Sequence, residues 1–345
     1  MVTNNIVDLI GNTPLIKLKY PSEITNCDIY GKAEFLNPGG SIKDRTALGI
    51  ILDAEKNNLI EPNGICVEGT FGNTGIGLTL VNNARGYKTV IVMPNITAPS
   101  KRDILKNMGA ELHLVDPKPF SDPGNYQRVS ERLAKEIEKE RDIKTFWSGQ
   151  FENEANYQFH EKTTAIEIFD QTDGKINGFT CAIGTGGSLT GIGLGLKSKH
   201  KDIKIACTDS QGSSMYNYFT SGILEKKGKP SFTEGIGQAR ITKNLEKCLV
   251  DMSYYVDDKE CLDVLYKLIK TDGLFLGTSS GVNVMGAIKM AKELGPGNTI
   301  VTILCDDANK YYDKMFNKDF LEDNDLPFPE WLYLCLIRKN YLIQK

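Results

Sequence analysis

One lysine stands where the chain could hold a reactive group in a fixed position. Lys43 follows a turn-forming segment, residues 37–42, which contains a proline and two glycines, and it precedes a helical pattern of apolar residues. Pro38 fixes its own φ angle and disfavours the α conformation in the residue before it, so the segment cannot continue a helix. The sequence therefore predicts an amine held at a helix entrance, as a Schiff-base lysine requires. On this segment alone, a surface lysine near a helix start remains the alternative.

A second segment is a glycine-rich loop that follows an apolar strand pattern. Residues 69–75 have the sequence Gly-Thr-Phe-Gly-Asn-Thr-Gly and lead into a helical pattern. Such a loop offers backbone N–H groups and small hydroxyls to an anion, with the positive end of the helix dipole behind them. Asn73 adds a neutral side chain that can donate to a phenolic oxygen. A plain turn would need a single glycine, so the composition favours anion binding.

A third segment has the composition of a phosphate-binding loop. Residues 184–188 have the sequence Gly-Thr-Gly-Gly-Ser between an apolar strand and a helix that starts near Leu189. The spacing matches neither a dinucleotide-binding fingerprint nor a Walker loop, because no lysine follows the last glycine. A short loop of this kind fits one phosphate monoester. A Schiff-base lysine, an anion loop with an asparagine and a phosphate loop are together the groups that pyridoxal phosphate requires.

Over residues 6–330 the chain resembles the cysteine synthase and cystathionine β-synthase family of pyridoxal-phosphate enzymes, known as fold type II. Order and spacing agree for motifs at 10–15, 37–45, 72–75, 149–151, 160–164, 184–188, 234–237 and 279–281. The cysteine-synthase side is favoured, because residues 325–332, Asp-Leu-Pro-Phe-Pro-Glu-Trp-Leu, resemble the tail of a bacterial and fungal subgroup of that name.

The resemblance implies a role for each residue at a matching position. Lys43 would carry the Schiff base and later move the α-proton, while Asn73 would donate to the ring oxygen of the cofactor. The phosphate would be held by Gly184, Thr185, Gly186, Gly187 and Ser188. The substrate carboxylate would be bound by Thr70, Phe71, Gly72, Asn73, Thr74 and Gln150. We expect His160 to pack or cap a helix rather than to act in catalysis.

The sequence departs from the family pattern in two places. Phe71 replaces a serine, so a hydroxyl is lost and a large ring intrudes, although the backbone N–H remains. Asp307 aligns with a position where the family usually places a serine that bonds the pyridine nitrogen. An aspartate there would favour a protonated ring, which is a stronger electron sink. Two alternatives are that Asp306 faces the ring and that both acids only cap a helix.

Length, composition and charge are those of an ordinary protein of two domains. The chain has 345 residues, of which 40% are hydrophobic and 25% charged, and a net charge of -3, which argues against nucleic-acid and membrane partners. Eight dispersed cysteines and three histidines support neither a metal site nor a disulfide framework. We expect buried free thiols in a reducing compartment. The N-terminus lacks the pattern of a signal or transit peptide, so the expected location is the cytoplasm.

Strands alternate with helical patterns, which predicts an α/β fold with two mostly parallel twisted sheets flanked by helices. Candidate strands are 28–33, 64–67, 89–93, 112–115, 178–183, 203–208, 252–256 and 299–304. Sites in such folds lie at the carboxyl ends of strands, where all three loops fall. We expect a smaller substrate-binding domain at 46–150, a larger cofactor-binding domain from 1–45 and 151–330, and a C-terminal extension at 331–345.

The resemblance implies β-replacement: O-acetyl-L-serine, or a related activated serine, loses its leaving group to give an aminoacrylate, and sulfide adds to give L-cysteine. Two alternatives stay open, namely β-elimination that degrades cysteine with release of sulfide, and a non-catalytic regulatory relative. Retention of Lys43, Asn73 and the loop at 184–188 argues against the second alternative. We expect a homodimer, with serine acetyltransferase as a candidate partner.

Overall fold

A computed structural model describes residues 2–329 and 331–332 of the chain. Its ten strands are β1 (Leu15–Lys17), β2 (Asp28–Ala33), β3 (Ile65–Gly69), β4 (Lys88–Pro94), β5 (Glu111–Val115), β6 (Thr145–Trp147), β7 (Gly178–Ala182), β8 (Lys204–Ser210), β9 (Met252–Val256) and β10 (Thr299–Leu304). They form a six-stranded sheet in the order β1-β2-β10-β7-β8-β9 and a four-stranded sheet in the order β5-β4-β3-β6. Only the β1–β2 pair of these described strands is antiparallel.

The helices are α1 (Lys19–Thr25), α2 (Lys43–Lys56), α3 (Asn73–Arg85), α4 (Pro99–Asn107), α5 (Tyr126–Arg141), α6 (Ala155–Lys162), α7 (Thr164–Gln171), α8 (Gly187–Lys199), α9 (Met215–Ser221), α10 (Asp258–Thr271), α11 (Thr278–Leu294), α12 (Tyr312–Met315) and α13 (Lys318–Asp323). Short 3-10 helices occupy Ile6–Leu9, Glu34–Leu36, Lys243–Leu245 and Ala308–Tyr311. None of the helices within the described ranges is long and apolar enough to cross a membrane.

The predicted α/β class is confirmed, and all eight candidate strands are present within a few residues of their expected ends. Strands β1 and β6 were not expected, because three residues are too few to produce a recognisable alternation of apolar and polar side chains. All four strands of the smaller sheet lie within 46–150. The division into domains stays a prediction, and most of the extension at 331–345 lies outside the described residues.

Strand β10 shows how the larger sheet is buried on both faces. Ile300 and Leu304 belong to the core packed against α10 and α11, whereas Val301 and Ile303 belong to the core on the side of α7 and α8. Successive side chains of a strand point to opposite faces, so β10 contributes to both cores. A parallel sheet of this kind needs helices on both sides, which explains the continuous apolar run of its sequence.

The order of the strands brings separate loops together. Strand β10 pairs in parallel with β2 on one side and with β7 on the other, so the segments that follow these three strands meet at one edge of the larger sheet. They are residues 34–42, 305–307 and 183–186. The loop at 70–72 follows β3 of the smaller sheet, and together with residues of these three segments it lines one cavity.

Helices α6 and α8 approach closely because α8 carries glycine where they touch. A Cβ atom added to Gly191 would lie 2.0 Å from the carbonyl oxygen of Tyr157, in the backbone of α6. His160 of α6 is buried between α2 and α8, and burial lowers its pKa well below the ordinary value. Its ring lies 2.9 Å from the Thr164 hydroxyl, which agrees with a packing role for this histidine.

We expect Gly191→Ala to destabilise the fold. The new methyl group would force α6 away from α8, and overpacking of this kind costs about 1–3 kcal/mol in the free energy of unfolding. Urea unfolding measures the loss. Gly193→Ala is the control, because its Cβ would lie 3.2 Å from a side-chain atom of Ile205. An equal loss in both variants would contradict the role given to the contact between the two helices.

Candidate active site

A single cavity between the two sheets contains most of the residues expected at the site. Those that line it are Lys43, Thr70, Phe71, Gly72, Asn73, Thr74, Gln150, Gly184, Thr185, Gly186 and Ser188. Gly187 and Asp307 are the expected residues that do not line it. The roles assigned to these residues stay predictions, but their convergence from distant parts of the chain is a property of the fold.

Lys43 is the first residue of α2, and the turn before it is tightly held. The Gly40 N–H donates to the Asn37 carbonyl oxygen over 2.8 Å, and the Ile42 N–H donates to the Cys305 carbonyl oxygen over 3.0 Å. Burial lowers the pKa of the Lys43 amine, because an ammonium is poorly solvated there, while Asp306 and nearby thiols oppose this effect. A larger neutral fraction makes the amine a better nucleophile and base.

Two residues beyond Lys43, a buried ion network anchors the first turn of α2. The Arg45 guanidinium donates to both carboxylate oxygens of Glu34 over 2.8 and 2.9 Å, and to both of Glu167 over 2.7 Å each. Lys32 forms a second ion pair with Glu167 over 2.6 Å. Because Glu34 follows β2 directly, this network fixes the direction in which α2 leaves the sheet.

The loop at 184–188 brings the N-terminus of α8 to the cavity. Gly186 has a φ of 90°, and a Cβ at this residue would lie 2.5 Å from Leu245. Gly187 packs against the side chain of Asn156, which explains its place behind the cavity wall. The Thr242 hydroxyl donates to the Thr185 carbonyl oxygen over 2.7 Å. The N–H groups in the first turn of α8 lack intrahelical partners and suit an anion.

Gln150 lines the cavity, but its amide bonds to protein groups. Its Nε2 donates to the Glu68 carboxylate over 3.0 Å, and its Oε1 accepts from the Thr74 hydroxyl over 2.7 Å. Burial raises the pKa of Glu68 to about 7. In this arrangement Gln150 positions Thr74, and the N–H groups in the first turn of α3, which lack intrahelical partners, suit an anion.

Asp307 is not placed to meet a cofactor ring, so its assignment is corrected. Its carboxylate accepts from the Asn309 N–H over 2.8 Å and caps the 3-10 helix Ala308–Tyr311. Asp306 is the acid that points inward and is fully buried. Its Oδ2 accepts from Asn73 and from the Tyr311 hydroxyl, each over 2.7 Å. The side chains alternate at the end of β10, which separates two adjacent acids into one inside and one outside.

Ser279 was not among the residues expected at the site, yet it lines the cavity from the first turn of α11. Its side chain also contacts the Cys305 thiol, where its hydrogen bond opposes the rise in the thiol pKa caused by burial. The motif at 279–281 was recognisable in the sequence. What the sequence does not show is that α11 carries this hydroxyl to the end of β10.

An ion pair crosses the cavity between the two sheets. Lys101 of α4 pairs with Glu234, which precedes the loop at 235–237, and both residues line the cavity. Glu234 also pairs with Lys314 over 2.8 Å, and the Lys101 ammonium lies 4.6 Å from the centre of the Tyr311 ring. These charges were not expected from the sequence, because α4 and residue 234 are far apart along the chain.

A family model described as "Pyridoxal-phosphate dependent enzyme" matches residues 6–306. Cysteine synthase 1 of Neurospora crassa is 44% identical over 343 residues, which cover 97% of this chain and 90% of the relative. The chain belongs to the cysteine synthase and cystathionine β-synthase family of pyridoxal-phosphate-dependent enzymes. Cysteine synthase of Dictyostelium discoideum is 39% identical, over 94% of this chain and 87% of the relative.

Solved structures of the same family superpose over most of the fold. An O-acetylserine-dependent cystathionine β-synthase from Helicobacter pylori has a TM-score of 0.80 and 31% identity, over 91% of this chain and 98% of the other. A hydrogen sulfide-producing enzyme from Fusobacterium nucleatum has a TM-score of 0.78 and 32% identity, over 90% and 98%.

Replacing Gly186 with valine should release pyridoxal phosphate. A side chain at this positive φ would meet Leu245 and displace the N–H groups that we expect to bind the phosphate. Cofactor content after dialysis, read from absorbance, measures the effect. Gly222→Ala is the control, because Gly222 also has a positive φ, 77°, but a Cβ there meets no atom within 4 Å. Retention of the cofactor in Gly186→Val would place the phosphate elsewhere.

Proposed function

We propose that the protein forms L-cysteine from O-acetyl-L-serine, or a related activated serine, and sulfide by pyridoxal-phosphate-dependent β-replacement. The observation that carries the proposal is that one cavity contains the amine of Lys43 and opens onto the N-termini of α3 and α8. An enzyme of this kind needs a nucleophilic amine and two separate anion sites, one for the cofactor phosphate and one for the substrate carboxylate.

The residues of the cavity fit the cofactor. Lys43 would form the Schiff base, and the N–H groups and hydroxyls of residues 184–188 would hold the phosphate. Asn73 would donate to the ring oxygen, and the Ser279 hydroxyl would face the ring nitrogen in place of Asp307. When bound, pyridoxal phosphate supplies an electron sink that stabilises negative charge on the substrate α-carbon.

The protein's own groups bind the substrate and transfer the proton. The first turn of α3 binds the substrate carboxylate, while Thr74 is held in place by Gln150 and, through it, by Glu68. The amine of Lys43 would take the α-proton, and the lower pKa that burial gives this amine raises its neutral fraction for that step. Acetate departs from the β-carbon with the bonding electrons of its C–O bond, hydrosulfide then adds to the same carbon, and the Lys43 ammonium returns the proton to the α-carbon.

Phe71 narrows the room for the second substrate. Its ring packs edge-on against Tyr126, with ring centroids 5.1 Å apart and an angle of 77° between the planes, and both rings line the cavity. Phe151 lines the same region. A wall of aromatic rings leaves space for hydrogen sulfide more readily than for a longer thiol, which favours the synthesis of cysteine over that of a thioether.

Degradation of cysteine with release of sulfide is the second candidate. One observation favours it: a structural neighbour at 32% identity is described as a hydrogen sulfide-producing enzyme. The two reactions share the cofactor and the lysine and differ in which compound enters the cavity. Cysteine formation from O-acetylserine and sulfide, measured beside sulfide release from cysteine alone, separates them through the ratio of the two values of kcat/KM.

Lys43→Ala should abolish turnover and the Schiff-base absorbance band while the fold stays intact. No other amine of the cavity is expected to replace it, because Lys101 is paired with Glu234. Absorbance of the purified protein, circular dichroism and cysteine formation provide the three measurements. Full activity in this variant would remove the proposed mechanism.

Phe71→Ser should widen the cavity and raise the relative use of larger thiols. Hydrophobic pockets discriminate a methylene group by about 10–200-fold, so we expect the ratio of kcat/KM for homocysteine to that for sulfide to rise about tenfold. Phe120→Ser is a matched control, since both rings are 37% exposed but Phe120 does not line this cavity. An unchanged ratio in Phe71→Ser would show that another wall selects the nucleophile.

The proposal also includes a homodimer in the cytoplasm and binding to serine acetyltransferase, the class of enzyme that would supply O-acetylserine. The seven cysteines that the structure describes are all free thiols, which fits a reducing compartment. Sedimentation of the protein, alone and mixed with a serine acetyltransferase, tests both kinds of association.

A further inference from the structure

The side-chain amide of Asn73 is held on both sides by charged groups. The Lys310 ammonium donates to Asn73 Oδ1 over 3.0 Å, and Asn73 Nδ2 donates to the Asp306 carboxylate over 2.7 Å. An ammonium can only donate, so the amide oxygen must face Lys310 and the amide nitrogen must face Asp306. The partners therefore determine which end of the amide points in each direction.

Both charged groups are themselves fixed. The Tyr311 hydroxyl donates to the same oxygen of Asp306 over 2.7 Å, and Asp306 is fully buried. Lys310 also donates to the carbonyl oxygen of Gly40 over 3.1 Å, in the turn that precedes Lys43. The segment 305–311 thus connects the turn before Lys43 with the loop that carries Asn73.

An amide nitrogen has two hydrogens, and Asp306 accepts only one of them. Asn73 lines the cavity, so the second N–H remains to donate to a group bound there. Turning the amide over would place its NH2 group against the Lys310 ammonium and its oxygen against the carboxylate, and both contacts would be repulsive. Burial raises the pKa of Asp306, but the orientation does not depend on its protonation, because Lys310 donates in either state.

We propose that Asp306 and Lys310 are positioning residues that orient the Asn73 amide so that one N–H points at the ring oxygen of pyridoxal phosphate. The proposal rests on the proposed function for the place of the cofactor ring beside Asn73. A donor fixed before binding loses little conformational freedom when the cofactor arrives, whereas a free amide presents its oxygen to the ring oxygen part of the time.

The test measures the dissociation constant of pyridoxal phosphate and the absorbance spectrum of the bound cofactor. Lys310→Met should weaken binding about tenfold, as the loss of one hydrogen bond to a charged group implies, and should shift the absorbance maximum. Lys310→Arg keeps a donor and should bind nearly as well as the parent. Asp307→Asn is the control, because Asp307 caps the 3-10 helix and does not contact Asn73.

A double-mutant cycle decides whether Lys310 acts through Asn73. In the Asn73→Ala background, Lys310→Met should cause no further loss of cofactor affinity, since the group that it orients is gone. An equal loss in both backgrounds would overturn the proposal, because Lys310 would then act directly or through Gly40. No loss in the parent background would overturn it as well. If Lys310→Met does not fold, Asp306→Asn replaces it in the cycle. Its loss of cofactor affinity is then compared between the parent and the Asn73→Ala background.

These measurements are separable from the proposed reaction. They report cofactor affinity and spectrum, so they can be made whether or not cysteine is formed. Tight cofactor binding without conversion of O-acetylserine and sulfide would contradict the proposed reaction. The double-mutant cycle of Lys310 and Asn73 would still test the orientation of the Asn73 amide.

Discussion

The ion network around Arg45 is the constraint on which the rest of the site depends. One guanidinium binds two carboxylates, one that follows β2 and one in α7, and all three side chains are buried or nearly so. Such a network adds little to net stability, because desolvation offsets much of the attraction, but removing one partner leaves a buried charge at a cost of about 3–5 kcal/mol. Its contribution is therefore geometric. The network fixes the direction of α2 relative to the larger sheet, and this direction determines where the amine of Lys43 lies.

The order of the strands determines where the other loops of the site lie relative to α2. Strand β10 lies between β2 and β7, so the segment after it bonds to the turn before Lys43 and lines the same cavity as the loop at 184–188. Asp306, the inward side chain of that segment, accepts a hydrogen bond from Asn73 at the start of α3, beside the smaller sheet. A hydrogen bond between Asp306 and Asn73 thus links the two sheets beside the cavity that Asn73 lines.

The sequence was sufficient for the parts of the site that are local. Each of the three loops is a short continuous segment whose own residues set its backbone path, so composition alone predicted them, and the structure brings all three to one cavity. The sequence did not show which of the acids at 306 and 307 points inward, because that depends on where β10 ends. Ser279 and the Tyr126 ring could not be placed, since helices from distant parts of the chain bring them to the cavity. Gln150 was placed correctly at the cavity, but its partner Glu68 takes up the donors expected for the substrate.

The glycines of α8 have a consequence for the order in which the protein assembles. Each glycine inside a helix costs about 0.5–1 kcal/mol relative to alanine, and α8 contains Gly191, Gly193 and Gly195. Such a helix has little tendency to form alone, so it depends on the contact with α6 that the missing side chains permit. The loop at 184–188 leads into this helix, so we expect its backbone path to depend on the same contact. Local unfolding of the α6–α8 pair would therefore also disorder the loop at 184–188, so the two helices and this loop form one cooperative unit.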